Sequence, residues 1–345
     1  MNQNVNIKPL TVKREGACAF FSRIGLAVIA LQLVTFAVQY AVSYGIIYGA
    51  SYDAYATLVN NTWWFIWLLS LLPLYGVALP IFYLLLPKPV GNLPPVERKK
   101  MGIGSLIAAF VMCIFALYAG NLMGSNLSVA LAELLGKDAL NPVSSLVGEG
   151  IIPLIATVLF GVILGPMGEE LIFRRLLTDR LAPFGEGVAV LFSGLAFGLF
   201  HGNLFQFFYA FFVGCLLAFI RVRTGRDLYN ILLHSALNFF GMVVSPAILT
   251  GERLDLLDKI ATDPTLMTEE VIAELAPLLF FVLAAVGVFF AGIILFIVAL
   301  ARGKFRLKRP EIAVERGTRR AFWLNPYVLI SLAIMVALMI YSVLG

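Results

Sequence analysis

The chain has 345 residues, of which 61% are hydrophobic and only 13% are charged, and its formal net charge is +5. Soluble domains carry about 25% charged residues, so a soluble fold would lack the polar surface needed to cover this much apolar side chain. The same composition excludes a disordered or collagen-like chain, and three cysteines are too few for a disulfide scaffold. The apolar runs are continuous rather than alternating, which argues against a β-barrel. The sequence therefore predicts an all-α, polytopic transmembrane helical bundle.

A membrane-spanning helix needs about 20 mostly apolar residues, and nine segments of the chain approach or exceed this length. In chain order they cover residues 24–48, 63–86, 102–123, 151–165, 187–200, 204–220, 228–249, 277–301 and 322–344. The fourth, fifth and sixth segments are short, so we expect about eight to nine spans. Two amphipathic helices are also expected in outer loops, one over 128–135 and one after Thr268.

Lysine and arginine are distributed very unevenly between the loops. With a cytoplasmic N-terminus, 22 of the 25 basic residues fall on the cytoplasmic side, and only Lys137, Arg253 and Lys259 fall outside. Cytoplasmic loops of membrane proteins are enriched in Lys and Arg, so this split predicts that the N-terminus is inside and the C-terminus outside. Because topology explains the positive net charge, no nucleic-acid partner is expected.

The first polar motif follows the fourth apolar segment and contains two adjacent carboxylates. Gly165 and Pro166 are expected to break the preceding helix, which would place Glu169 and Glu170 in the first turn of a new one, where the helix dipole favours negative charge. Glu170 and Arg174 are four residues apart and can form an ion pair. Glu169 would then be free for chemistry. A capped helix with a basic cytoplasmic end explains the same motif without any catalytic role.

The second and third motifs contain the only two histidines of the chain, His201 and His234. Both lie in apolar helices, where ionisable groups are costly and by default mark function. His234 and Asn238 are four residues apart, so one helix face presents an imidazole together with an amide. A single buried histidine is more often structural, but the combination with the glutamate pair predicts one joint site. Segment 187–200 is too short to cross the hydrocarbon, so His201 requires a strong tilt or a turn buried in protein.

Two kinds of chemistry fit these residues. A carboxylate and an imidazole can activate a shared water as general bases, while a second histidine and an amide donate hydrogen bonds to the oxyanion. Alternatively, Glu169, His201 and His234 could bind zinc or another divalent metal that activates the water. Both routes hydrolyse an amide without a Ser or Cys nucleophile. We favour a mechanism without a metal cofactor, because the motif His-x-x-x-Asn offers only one good metal ligand.

The motifs Glu-Glu-x-x-x-Arg, Phe-x-x-x-His and His-x-x-x-Asn, in this order on membrane helices, resemble those of the CPBP intramembrane proteases. This family (CAAX protease and bacteriocin-processing, or Abi) includes the prenyl-protein CAAX endopeptidases. The resemblance implies a catalytic membrane core over residues 150–245. N-terminal membrane helices would precede it over 1–149, and an outer loop with C-terminal helices would follow it over 246–345.

The resemblance also implies a role for each matching residue. Glu169 would be the catalytic carboxylate, with His201 as its partner in activating water. His234 and Asn238 would bind the oxyanion, and the ion-paired residues of the first motif would support the helix that carries the carboxylate. Family members have been described both as metalloproteases and as metal-free glutamate proteases, so the resemblance leaves the metal question open.

From the motifs and the resemblance we expect an intramembrane endopeptidase that hydrolyses peptide bonds of membrane-associated or lipidated substrates. Its partners would be a peptide or protein substrate and the lipid bilayer, and its location a bacterial plasma membrane. Two other classes compete. One is a non-catalytic scaffold or chaperone of the same fold. The other is a transporter, for which buried Glu and His are also typical.

Overall fold

The computed structural model describes residues 10–90, 99–137 and 150–344, and in these residues nearly all regular structure is helical. Within these described residues, eight helices are long and apolar enough to cross a membrane. The elements in chain order are β1 (Leu10–Val12), α1 (Arg14–Gly49), α2 (Tyr52–Asn61), α3 (Trp63–Leu85), α4 (Ile103–Leu134), α5 (Ile151–Phe184), α6 (Glu186–Phe200), α7 (Leu204–Thr224), α8 (Asp227–Ile248), α9 (Gly251–Thr262), α10 (Glu269–Ala301), β2 (Ile312–Val314), α11 (Thr318–Trp323) and α12 (Pro326–Leu344). The predicted all-α membrane bundle is confirmed, and the chain is an integral membrane protein.

The expected break at Gly165 and Pro166 is wrong, because α5 continues through both residues. The helix widens to a π-helical register over Thr157–Leu164, which ends two residues before the proline. Proline has no N–H to donate and its ring crowds the preceding turn, and π-helical turns are one way in which a helix absorbs such a disturbance. The two glutamates therefore lie within a continuous helix rather than at the start of a new one.

The two helices expected in outer loops are not separate elements. Helix α4 runs without interruption to Leu134, and the chain then turns at Gly136, whose φ is +65°. The helix that begins after Thr268 is likewise the first part of α10, and the Thr268 hydroxyl accepts a hydrogen bond from the Val271 N–H at its start. Neither segment contains a residue that stops the helix, since Pro277 is accommodated within α10.

Helices α6 and α7 form a tight antiparallel hairpin, and His201 lies in the turn between them. Helix α6 has 15 residues, about 22 Å of rise, which is less than the roughly 30 Å of hydrocarbon. A Cβ on Gly198 would lie 2.8 Å from the Phe207 carbonyl oxygen, so glycine permits the close packing. The turn is buried at Gly202, whose φ is +65° and which faces the Phe36 ring of α1. The short segment predicts either a strong tilt or a turn buried in protein, and the structure has the buried turn.

The segments predicted to be cytoplasmic meet at one end of the bundle. Strands β1 and β2 pair in parallel, which joins the N-terminal segment to the basic stretch before α11. Arg180 Nε donates to the Pro87 carbonyl at 2.9 Å, and the Lys99 N–H donates to the Thr224 carbonyl at 2.9 Å. The predicted topology requires this clustering. The two strands were not predicted, because three residues are too short for a periodic pattern.

The largest hydrophobic cluster of the described residues lies between α1, α3, α5, α6, α11 and α12. Its aromatic centre includes Phe21, Phe192 and Phe322, whose neighbouring rings are 5.0–5.1 Å apart and nearly perpendicular. Edge-to-face aromatic packing of this kind contributes beyond the area it buries. The cluster gives α5 and α6, the helices that bear the first two motifs, a rigid support.

Candidate active site

Helix α5 buries an ion pair completely. The side chains of Glu170 and Arg174 are both 0% exposed, and Arg174 Nε lies 3.1 Å from Glu170 Oε2. The two residues are one helical turn apart, as the sequence predicted. The guanidinium carbon also lies 4.5 Å from the centre of the Phe197 ring of α6, a cation–π distance. A charge inside a membrane protein needs such partners, because lipid and apolar side chains cannot solvate it.

His234 of α8 lies between the two adjacent glutamates. Its Nδ1 is 2.9 Å from Glu170 Oε1, and its Nε2 is 3.5 Å from Glu169 Oε2. Because a carboxylate accepts hydrogen bonds, the contact with Glu170 places a hydrogen on Nδ1 and directs Nε2 towards Glu169. The spacing of the motif predicted only Arg174 as a partner of Glu170. In the structure Glu170 contacts both Arg174 and His234.

His201 lies at the end of α6, and its Nδ1 is 2.8 Å from the Phe197 carbonyl oxygen. That acceptor places the hydrogen of a neutral ring on Nδ1, so Nε2 has a lone pair available for a water proton. Among the hydrogen bonds of the described residues there is none between His201 and Glu169. The Phe197 ring centre lies 4.9 Å from that of His201 and 5.6 Å from that of His234. One aromatic ring thus separates and orients both imidazoles.

Asn238 follows His234 by one turn and anchors α8 to α5. Its Nδ2 donates to the Gly161 carbonyl at 2.9 Å. An asparagine amide has two N–H donors, so this bond leaves one hydrogen for another acceptor. The geometry therefore gives Asn238 a structural contact that the sequence did not predict and leaves the predicted donor role possible.

Asn230 is a buried polar residue that the sequence analysis missed. It is 0% exposed, and its Nδ2 donates to the Leu217 carbonyl of α7 at 2.9 Å. Asn230, His234 and Asn238 follow one another at intervals of four, so one face of α8 carries three polar residues in a row. This spacing was the available signal. It extends the polar stripe one turn towards the N-terminal end of the helix.

The cluster formed by Glu169, Glu170, Arg174 and His234 can become electrically neutral with a single additional proton. The charges of Glu170 and Arg174 cancel, which leaves the carboxylate of Glu169 beside the imidazole of His234. One proton shared by these two groups makes the whole cluster neutral. A neutral cluster is favoured in surroundings of low dielectric constant.

A metal ion would need converging ligands. The described parts of the chain contain no group of three or more His, Cys, Asp or Glu side chains placed to hold one. Glu169, His201 and His234, the set considered for zinc, each keep an atom that could ligate, but they do not form such a group.

Comparisons with known proteins find one family model and one curated relative that match part of the chain. A family model described as type II CAAX prenyl endopeptidase Rce1-like matches residues 151–240. The human protein CAAX prenyl protease 2 is 34% identical over 100 residues, which cover 23% of this chain and 30% of that protein. No solved structure gives a significant match. The stretch matched by the family model contains all three motifs, so the resemblance is confirmed: residues 151–240 of this chain are similar to the CPBP/CAAX protease family.

Proposed function

We propose that the protein is an intramembrane endopeptidase of the CAAX-protease type, acting on membrane-associated or lipidated proteins in a bacterial plasma membrane. The observation that carries this proposal is His234, held by buried Glu170 on one side and facing Glu169 on the other. The family match and the name of the human relative support the reaction class. The relative is matched over only part of its length, so its activity is extended to this chain as a proposal.

In the first step Glu169 and His201 activate a water molecule. Glu169 is 22% exposed at its side chain, so water can reach it, whereas Glu170 is fully buried. The water lies between the Glu169 carboxylate and His201 Nε2 and transfers a proton to the carboxylate as its oxygen attacks the substrate carbonyl carbon. Positioned general bases of this kind contribute about 10²–10⁴ in rate.

In the second step His234 and Asn238 stabilise the negative oxygen of the tetrahedral intermediate. A protonated His234 donates through Nε2, while Glu170 keeps Nδ1 in place. Asn238 donates the amide hydrogen that Gly161 does not use. The intermediate then breaks its C–N bond, and the proton held by Glu169 passes to the departing amine nitrogen. Water is thus split between the two products, with no covalent intermediate on the enzyme.

The test is cleavage of a lipidated peptide by the purified full chain in detergent, compared with Glu169→Gln. We expect turnover by the native chain and loss of turnover in the variant. Glu252→Gln is the matched control, because Glu252 is an exposed glutamate of α9 and should leave the rate unchanged. Equal cleavage by all three proteins would overturn the proposal. Peptide binding without cleavage would favour the scaffold, and peptide uptake into vesicles without cleavage would favour the transporter.

The same assay decides between the metal-free and the metal-dependent mechanism. We expect a chelator to leave the rate unchanged and the active protein to contain no stoichiometric metal. About one metal per chain, with activity lost on chelation and restored by zinc, would overturn the metal-free mechanism. The same three residues, Glu169, His201 and His234, would then be assigned as ligands.

A further inference from the structure

Tyr75 of α3 lies outside the region that the family model matches, yet it contacts the turn that bears the two glutamates. Its hydroxyl donates to the Gly165 carbonyl at 3.1 Å. Gly165 precedes Glu169 by four residues within the α-helical turn Gly165–Glu170. In an α-helix this carbonyl is also the acceptor for the Glu169 N–H. Tyr75 thus shares a carbonyl with the backbone of the proposed catalytic carboxylate.

The ring of Tyr75 makes a second contact with the same turn. A Cβ placed on Gly168 would overlap the ring carbons and the hydroxyl of Tyr75. The ring therefore packs directly on the backbone of the residue that precedes Glu169. Only glycine permits this approach, because any side chain at position 168 would occupy the space that the ring fills.

This turn is a part of α5 that needs outside support. The α-helical stretch Gly165–Glu170 is only six residues long, and π-helical stretches lie on both sides, over Thr157–Leu164 and Leu171–Thr178. Pro166 within it cannot donate a backbone hydrogen bond. A short turn between two wider ones is constrained less by its own hydrogen bonds than a regular helix is. Tyr75 adds one hydrogen bond and one packed ring at this point.

We propose that Tyr75 is a positioning residue that fixes the direction of the Glu169 carboxylate through the Gly165 carbonyl and the Gly168 backbone. The proposal rests on the proposed function, since it assigns Glu169 as the base. A misdirected base slows the chemical step more than it weakens substrate binding. Loss of the contact should therefore lower kcat while KM stays nearly constant.

Two variants separate the hydroxyl from the ring. Tyr75→Phe removes one hydrogen bond and should lower kcat about tenfold. Gly168→Ala forces the ring away and should lower kcat further. Tyr83→Phe is the control, because Tyr83 lies on the same helix but is 59% exposed. If the fall in kcat of Gly168→Ala comes from the clash with the Tyr75 ring, then adding Gly168→Ala to Tyr75→Ala should lower kcat little further, since the ring is already absent.

Hydrogen exchange of the backbone amides over residues 165–171 tests the positioning without any turnover. We expect Tyr75→Phe and Gly168→Ala to speed exchange in this segment and Tyr83→Phe to leave it unchanged. Native kcat and native exchange in both variants, with Glu169→Gln inactive, would overturn the role of Tyr75 and leave the proposed function standing. An inactive native chain would overturn the function, and the exchange result would still decide whether Tyr75 holds the turn.

Discussion

Two arginine side chains, Arg174 and Arg221, are buried among the described residues, and they differ in how completely their hydrogen bonds are made. Arg221 Nε and Nη2 donate to the two carboxylate oxygens of Asp179 at 2.9 and 2.6 Å, and Nη1 donates to Asp227 at 2.6 Å. Arg174 is paired with Glu170 at 3.1 Å, but its three guanidinium nitrogens meet no hydrogen-bond acceptor in well-aligned geometry among the described residues.

This difference indicates that the cluster around Arg221 mainly stabilises the fold. Asp179 and Asp227 are 29% and 32% exposed at their side chains, so the cluster around Arg221 retains water and satisfies each charge. The cluster around Arg174 is fully buried and incompletely bonded. Proteins retain costly polar arrangements of this kind mainly at functional sites. The incomplete cluster is also the one that holds His234.

The largest expected effect is on the two water-activating residues. Glu169→Gln and His201→Ala should each reduce kcat by about 10²–10⁴, because Glu169 takes the water proton and His201 Nε2 accepts a hydrogen bond that positions the same water. The melting temperature in detergent should stay near that of the native protein. Steady-state cleavage and thermal melting of the same preparations measure both quantities. Near-native kcat in either purified variant would remove that residue from the mechanism.

The next effect concerns the oxyanion. Asn238→Ala should lower kcat by about 10²–10³, with little change in KM, because the charge on the oxygen develops only in the transition state. The variant also loses the bond to Gly161, so melting must be measured in parallel. A raised KM at constant kcat would show that Asn238 binds substrate rather than the transition state.

Glu170→Gln tests the buried cluster directly. It leaves the Arg174 charge without a counter-charge, and breaking a buried ion pair of this kind costs about 3–5 kcal/mol. We expect the free energy of unfolding and kcat to fall together, as determined by denaturant unfolding and peptide cleavage. Unchanged stability with complete loss of activity would instead identify Glu170 as the catalytic carboxylate, and the roles of the two glutamates would be reversed.

Arg221→Gln tests the other side of the comparison. Removing hydrogen bonds to charged groups should lower the free energy of unfolding by about 1.5–3 kcal/mol, while kcat of the folded fraction stays near native. Chemical unfolding and cleavage below the melting temperature give the two values. If kcat fell 100-fold at native stability, the cluster around Arg221 would belong to the active site. The contrast between a stabilising cluster around Arg221 and a functional cluster around Arg174 would then be wrong.

The smallest expected effect on activity comes from single cysteine replacements near the ends of the membrane helices, which report only the side of the membrane on which each position lies. Cysteines at Asp53 and Asp263 should react with an impermeant reagent added to intact cells, and cysteines at Lys99, Arg226 and Lys308 should not. The uneven distribution of basic residues is the reason. Labelling of Arg226→Cys from outside would show that the end of the bundle near Arg221 faces outward, which contradicts the predicted topology.

The sequence was sufficient for the fold class and for the order of the three motifs, since composition and local spacing carry both. It failed where long-range packing decides. Nothing local to Pro166 shows that a π-helical turn absorbs it, and nothing near His234 shows that its ring reaches both glutamates. Asn230 could have been found from its spacing of four before His234. Tyr75 could not, because its contact depends on how α3 packs against α5.

The two ends of the chain contact each other, through the pairing of β1 with β2 and through the packing of α1 on α12, and this affects the order of folding. Ser22 of α1 bonds Asn325, 303 residues later in the chain, and Gly25 packs directly on the backbone of Tyr327. Contacts this distant in sequence form late and slow the search for the native state. During synthesis α1 enters the membrane first but obtains its neighbour α12 last. A nascent chain ending before residue 312 would contain every proposed catalytic residue and still expose one face of its first helix to lipid or to other proteins.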